Sequence, residues 1–182
     1  MKKMLFVMNP VAGMRRAAKY LTDILSLYNR AGYEITVYMT GKQGDAVSVV
    51  EEKARQVDII VCCGGDGTFN EVVSGLLRAG ADTPIGYIPA GSTNDFANSL
   101  HLSPSILQAA QDILDGEPTP YDVGSFAGRY FSYVASFGLF TRTSYSTPQN
   151  FKNIVGHMAY LLSSIQELSS IRKYHVDRKS VV

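Results

Sequence analysis

Four short apolar runs recur through the first 90 residues, and segments with helical spacing separate them. "MLFVM" (Met4–Met8) is followed by Leu21, Ile24, Leu25 and Tyr28, spaced along one helical face and closed by Gly32. "EITVYMT" (Glu34–Thr40) is rich in β-branched and aromatic residues, and "GKQGD" breaks it before the helical "AVSVVEEKARQV". "DIIVCC" (Asp58–Cys63) reads as a strand buried on both faces. Phe69, Val72, Val73, Leu76 and Leu77 then form one apolar helix face that ends near Gly80. "TPIGYIP" (Thr83–Pro89) is the fourth strand candidate. A further helix is predicted from Ser103, with Pro104 at its first position, Ile106, Ala109, Ala110, Ile113 and Leu114 inward, and a stop at Gly116. Parallel neighbours need crossover connections, so this βαβαβαβ order confines the chain to an α/β fold: a parallel sheet with helices on both faces.

The rhythm breaks at "GEPTPYDVG". "YDVGSF" and "RYFSYVASFG" are predicted antiparallel strands joined by a tight turn at Ala127–Gly128. "STPQNF" reads as a loop. A helix with Met158, Leu161, Leu162, Ile165 and Leu168 inward follows, then a strand with Tyr174 and Val176 alternating. The boundary falls near residue 120. Residues 1–120 make the α/β domain, and 121–182 make the start of an all-β, sandwich-like domain with too few strands to close alone. Such a partial domain exposes sheet edges, so self-association into a homo-oligomer is expected. The net charge of +1 argues against a nucleic-acid partner, and no apolar run approaches the roughly 20 residues of a transmembrane helix. The start "MKKMLFVMNP" fits a first strand better than a signal peptide. Cys62 and Cys63, adjacent in a strand, read as small buried apolar residues in a reducing, cytoplasmic setting.

Ligands of an open parallel sheet sit beyond the carboxyl ends of its strands. Four loops follow strands here, "NPVAG", "TGKQGD", "GGDGT" and "PAGSTND", and all should open on one edge. Glycines let backbone approach a phosphate, and a helix N-terminus adds free N–H groups and a positive dipole end. Asp66 is the odd member, since it would repel a phosphate. It makes sense if it orients an attacking hydroxyl, takes its proton, or acts through Mg²⁺. A ligand-free reading of the same residues stays open. Thr68 and Glu71 have the spacing of a capping box, and Gly64, Gly65 and Gly67 could simply permit a tight turn. Thr40 could finish a ladder, and Asn9 before Pro10 could form a turn. Arg15 and Arg16 read as a solvated helix face. His101, His157 and His175 are scattered without metal spacing, and Ser92 lacks the setting of a nucleophile elbow.

Together, "NPVAG" (Asn9–Gly13), "TGKQGDA" (Thr40–Ala46), "GGDGTFNEVVSGL" (Gly64–Leu76), "IPAGSTNDFA" (Ile88–Ala97) and "YDVG" (Tyr121–Gly124) resemble the diacylglycerol kinase catalytic domain superfamily in its soluble bacterial form. "GGDGT" alone is shared with NAD kinases and phosphofructokinases; its combination with the Asn-Pro-x-x-Gly start and "STNDFA" is specific. The resemblance implies a phosphofructokinase-like nucleotide domain, a β-sandwich-like lipid-binding domain, and a nucleotide between them. It implies ATP-dependent, Mg²⁺-assisted phosphorylation of a lipid hydroxyl by a cytoplasmic enzyme visiting the inner membrane face, most simply diacylglycerol to phosphatidic acid. The family's ATP contacts map onto Asn9, Pro10, Val11, Ala12, Gly13, Thr40, Gly65, Asp66, Gly67, Thr68, Phe69, Asn70, Glu71 and Thr93, with Asp66 as the catalytic aspartate. Asn94 and Asp95 fall in the motif that, by the same resemblance, shapes the cleft.

The family's metal-associated acidic residues and general base have no match in Tyr121–Val182, so no metal ligand is assigned. Nucleotide binding therefore carries over better than catalysis. Two other functions stay open: an ATP-binding module without catalysis, and a kinase of a soluble acceptor such as NAD.

Overall fold

In a computed structural model that describes residues 1–134, the four apolar runs are strands β1 (Lys2–Met8), β2 (Tyr33–Met39), β3 (Ile59–Gly64) and β4 (Ile85–Pro89). All pair in parallel, in the order β2-β1-β3-β4. The most apolar runs take the two central places: Met4–Met8 and Ile60–Gly64 are buried throughout.

Five helices cover the sheet: α1 (Leu21–Arg30), α2 (Asp45–Lys53), α3 (Asp66–Ala79), α4 (Asp95–Ser99) and α5 (Ile106–Asp115). Successive strand residues point to opposite faces. Leu5, Val7, Ile60 and Cys62 pack with Val49 and Val50 of α2 and Phe69, Val72 and Val73 of α3. Met4, Phe6, Met8, Val61 and Cys63 pack with Ile24 and Tyr28 of α1 and Ile106, Ala109 and Ala110 of α5. Burying a side chain such as Val72 or Ile24 contributes roughly 1.5–3 kcal/mol. The two cysteines thus belong to opposite layers. Both are free thiols, and burial holds Cys62 well above its usual pKa and pushes Cys63 up to about 12.

Helix α3 crosses α2 so closely that a Cβ on Gly75 would lie 2.6 Å from the Val47 carbonyl oxygen. The helix ends where Gly80 turns left-handed at φ 58°, and the Arg55 guanidinium closes that end by donating to the carbonyls of Ala79 and Gly80 at 2.8 and 2.9 Å.

Three details depart from the sequence reading. Leu77 is 37% exposed, so it lies at the margin of the apolar face of α3 and not within it. Helix α5 starts at Ile106, with extended Ser105 as its N-cap, so Ser103 and Pro104 precede it. Helix α4 begins at the last residue of the "PAGSTND" loop and runs through residues to which the sequence reading assigns no element. The predicted hairpin is present as β5 (Gly124–Phe126) and β6 (Arg129–Phe131), joined through Ala127 and Gly128 at φ 49° and 73°. The continuation of the second strand past Val134 with Phe137, the "STPQNF" loop, His157, the helix through Met158–Leu168 and the strand at Tyr174 and Val176 lie outside the described residues.

Candidate functional site

The order β2-β1-β3-β4 reverses direction at β1: the chain leaves β1 for β2 on one side and later returns to β3 on the other. Loops after β1 and β3 therefore diverge to opposite faces, and the crevice between them is where open α/β sheets take ligands. The loops depart at one level. Asn9 N–H donates to Cys63 O at 3.0 Å, Thr40 N–H to Met8 O at 2.9 Å and Ala90 N–H to Gly64 O at 2.7 Å.

Glycines then bring three of the loops into backbone contact. Gly13 has φ 50°, and a Cβ there would collide with the Ala90 carbonyl. A Cβ on Gly65 would lie 3.1 Å from the Gly91 Cα, and one on Gly91 would lie 2.6 Å from the Gly65 Cα. Side chains brace this junction. Asn9 Oδ1 accepts from Val11 N–H at 3.1 Å, and its Nδ2 donates to Thr68 Oγ1 at 3.4 Å. Pro10 lies inside that turn, which Ala12 N–H closes on Asn9 O at 3.2 Å. Asn94, left-handed at φ 54°, accepts from Gly91 N–H at 2.8 Å and donates to its carbonyl at 3.1 Å. The Thr40 hydroxyl donates back to Met8 O at 3.4 Å. Thr93 is exposed on the rim, and its carbonyl accepts from Asn98 Nδ2 at 3.0 Å.

Helix α3 begins at this junction with Gly65 as N-cap and no side-chain cap. An uncapped start leaves the first-turn N–H groups as donors facing the loop. Nothing lies within 4 Å of the space a Cβ on Gly67 would take. The capping box expected from Thr68 and Glu71 does not form. Thr68 lies within the first turn instead of at the N-cap, and its hydroxyl takes the Asn9 hydrogen bond. Glu71 is half-buried.

Asp66 has a definite partner. Its Oδ2 accepts from Asp95 N–H at 3.0 Å and its Oδ1 from Phe96 N–H at 3.1 Å, so one carboxylate caps α4 from 29 and 30 residues away. Phe69 turns into the core, stacked on Phe96 with centroids 4.8 Å apart and against Tyr87 at 4.5 Å. Asn70 meets Tyr130 of β6 and Ser132 just after it, one through each end of its amide. The structure thus gathers Asn9–Gly13, Thr40, Gly65–Thr68 and Thr93 at the strand ends, while the side chains of Phe69 and Asn70 serve packing and a distant strand. Gly91 was not singled out at this junction, although a glycine two residues past a strand end was legible in "PAGSTND".

The second loop folds on Asp45, whose Oδ2 accepts from Gly41 and Lys42 N–H at 2.8 and 2.9 Å. These bonds, Gly41 first, hold the Asp45 carboxyl below its ordinary value of 3.8. A depressed folded pKa stabilises the folded loop above the unfolded value, and that contribution fades as pH falls through the folded one. The Gly41 and Lys42 amide chemical shifts should therefore titrate together, with a common midpoint below the ordinary Asp value. Asp45→Asn should remove that titration.

These features define an open α/β domain whose glycine-bearing strand-end loops meet at its topological switch point. The chain belongs to the diacylglycerol kinase catalytic domain family, whose model matches residues 3–126. It is 37% identical over 179 residues to a diacylglycerol kinase of Bacillus subtilis (strain 168), covering 97% of this chain and 59% of that protein. It is 39% identical over 167 residues to one of Staphylococcus haemolyticus (strain JCSC1435), covering 91% of this chain and 51% of the relative. The chain thus spans just over half the length of these curated relatives. Among solved structures, a diacylglycerol kinase from Bacillus anthracis str. Sterne superposes with a TM-score of 0.66 at 34% identity, over 71% of this chain and 45% of that one.

Proposed function

We propose that this chain supplies the nucleotide-holding part of an ATP-dependent lipid kinase that moves the γ-phosphoryl group to a lipid hydroxyl, with diacylglycerol as acceptor and phosphatidic acid as product. One observation carries the reading: three strand-to-helix turns meet backbone to backbone around the uncapped start of α3, with Asp66 in its first turn. Such a junction favours a polyphosphate, because bare N–H groups and a positive helix end face the ligand. In the transfer, the lipid hydroxyl oxygen bonds to the γ-phosphorus, the bond to the β–γ bridging oxygen breaks, and the hydroxyl proton passes to a base.

Asp66 fits beside this chemistry. A carboxylate offers about four lone-pair sites, and the two amides of α4 occupy two of them. The others remain for an incoming hydroxyl or for water on a cation. Mg²⁺ bound to the phosphates would offset their charge, with Asp66 as the protein carboxylate beside it. Among the described residues no three His, Cys, Asp or Glu side chains gather as a metal cluster, which suits an ion held largely by phosphates and water.

Residues 121–182 are read as the start of the lipid-facing domain. An open hollow of about 540 Å³ there is lined by Tyr121, Phe131 and Tyr133 among others. Among the described residues no helix is long and apolar enough to cross a membrane. We place the enzyme in the cytoplasm, meeting its lipid at the membrane surface. The names of the relatives support diacylglycerol as acceptor. A second reading, nucleotide binding without transfer, is favoured by the engagement of both Asp66 oxygens with the start of α4.

Labelled γ-phosphate, Mg²⁺ and a panel of lipid alcohols in mixed micelles separate the two. Label in phosphatidic acid supports the kinase. Nucleotide binding with no labelled lipid supports the module, and label in a soluble acceptor without lipid overturns both.

A further inference from the structure

We infer that Asn70 is a positioning residue that fixes the β5–β6 hairpin to the glycine turn, and is not a nucleotide contact; its consequence for transfer rests on the kinase reading above. The Asn70 Nδ2 donates to Tyr130 O at 3.2 Å, and its Oδ1 accepts from Ser132 N–H at 3.0 Å and from the Ser132 hydroxyl at 3.5 Å. A side-chain amide has the donor and acceptor of one peptide unit. Here it meets the carbonyl of one residue and the N–H two residues on, as a neighbouring strand would, along the edge of β6 that β5 leaves open. The partners lie 60 and 62 residues away in sequence. Ser132 is buried at this contact. Within α3 the Ser74 hydroxyl donates to the Asn70 backbone carbonyl at 2.8 Å, which leaves both polar ends of the Asn70 amide to the hairpin.

Asn70 lies one helical turn after Asp66, so both occupy the same face of α3. Asp66 reaches the hairpin flanks by a second route. It holds the Phe96 N–H, and the Phe96 ring meets Tyr121 edge-on with centroids 5.2 Å apart and Tyr133 at 6.4 Å. The first turns of α3 therefore carry two connections to the segment on the acceptor side. The Asp66 route passes through aromatic packing, which tolerates small shifts. The Asn70 route uses directional hydrogen bonds, which fix register. Displacing reacting groups by about 1 Å can cost roughly 100-fold in rate, so a lost tie should appear in turnover while the phosphate cradle stays intact.

The test uses the full chain with Asn70→Ala and Asn70→Asp. Asp keeps the acceptor for Ser132 N–H and removes the donor to Tyr130. Amide exchange at Ser132 should speed up about ten-fold in Asn70→Ala and stay slow in Asn70→Asp, with Val61 in β3 as the folding control. The Ala variant should lower transfer by roughly 10–100-fold with nucleotide KM changed less than about two-fold. Equal Ser132 exchange in wild type and Asn70→Ala overturns the proposal, and so does a loss of nucleotide affinity as large as the loss of turnover. If the wild-type chain transfers no phosphate to lipid, the kinase reading fails, and Ser132 exchange alone then decides whether the tie exists.

Discussion

Asp66→Asn should lower phosphoryl transfer by roughly 10²–10⁴-fold, the range expected for loss of a positioned acid–base group, while nucleotide affinity changes far less. Both carboxylate oxygens are engaged with α4, through Asp95 N–H and Phe96 N–H. A carboxamide can accept only one of these bonds at full strength and turns an NH₂ towards the other donor. Leaving that donor unmatched costs about 1–3 kcal/mol. The substitution therefore loosens α4 and removes the charge that would meet a hydroxyl or a cation. The donors that would hold phosphate belong to the α3 start and the glycine loops, which the substitution leaves in place. Steady-state transfer beside nucleotide titration separates the two effects. Retained turnover ends any chemical role for Asp66, and equal losses of binding and turnover make it a structural tie alone.

Gly13→Ala should lower the thermal midpoint by several degrees and weaken nucleotide binding by well over ten-fold. Two costs add. The left-handed φ of 50° is unfavourable for a residue with a Cβ, by about 1–2 kcal/mol. The new methyl also meets the Ala90 carbonyl oxygen, and relieving such overpacking costs about 1–3 kcal/mol. The relief has one direction: the first loop must part from the fourth. Calorimetry for stability and fluorescence titration with a nucleotide analogue check both parts. Wild-type affinity in a folded Gly13→Ala protein would mean that the contact of the loops is irrelevant to the ligand.

The sheet and its long helices were legible because each rests on a periodic signal. "DIIVCC" is apolar at every place a doubly covered strand needs. Helix α3 shows Phe69, Val72 and Val73 at helical spacing and a glycine at its end. The loops were legible as glycine runs at strand ends. What escaped was held by distant partners. Helix α4 has 5 residues, too few for a period, and its cap is a carboxylate 29 residues upstream. Asn70 was grouped with its neighbours as a nucleotide contact; its amide meets backbone 60 and 62 residues later, which no local pattern signals. The capping box failed on register alone, since Thr-x-x-Glu has the right spacing but starts three residues after the N-cap.

The contact of Gly65 with Gly91, backbone on backbone with no side chain between, makes two chain segments into a single stiff part. Most of their freedom is lost when the protein folds, so a ligand arriving later has little left to organise. Capture should then resemble a key entering a finished lock, with fast association and small heat effects from ordering. A side chain at Gly91 would force the Gly65 backbone to move, so variation at Gly91 should be missing unless the partner loop shifts with it.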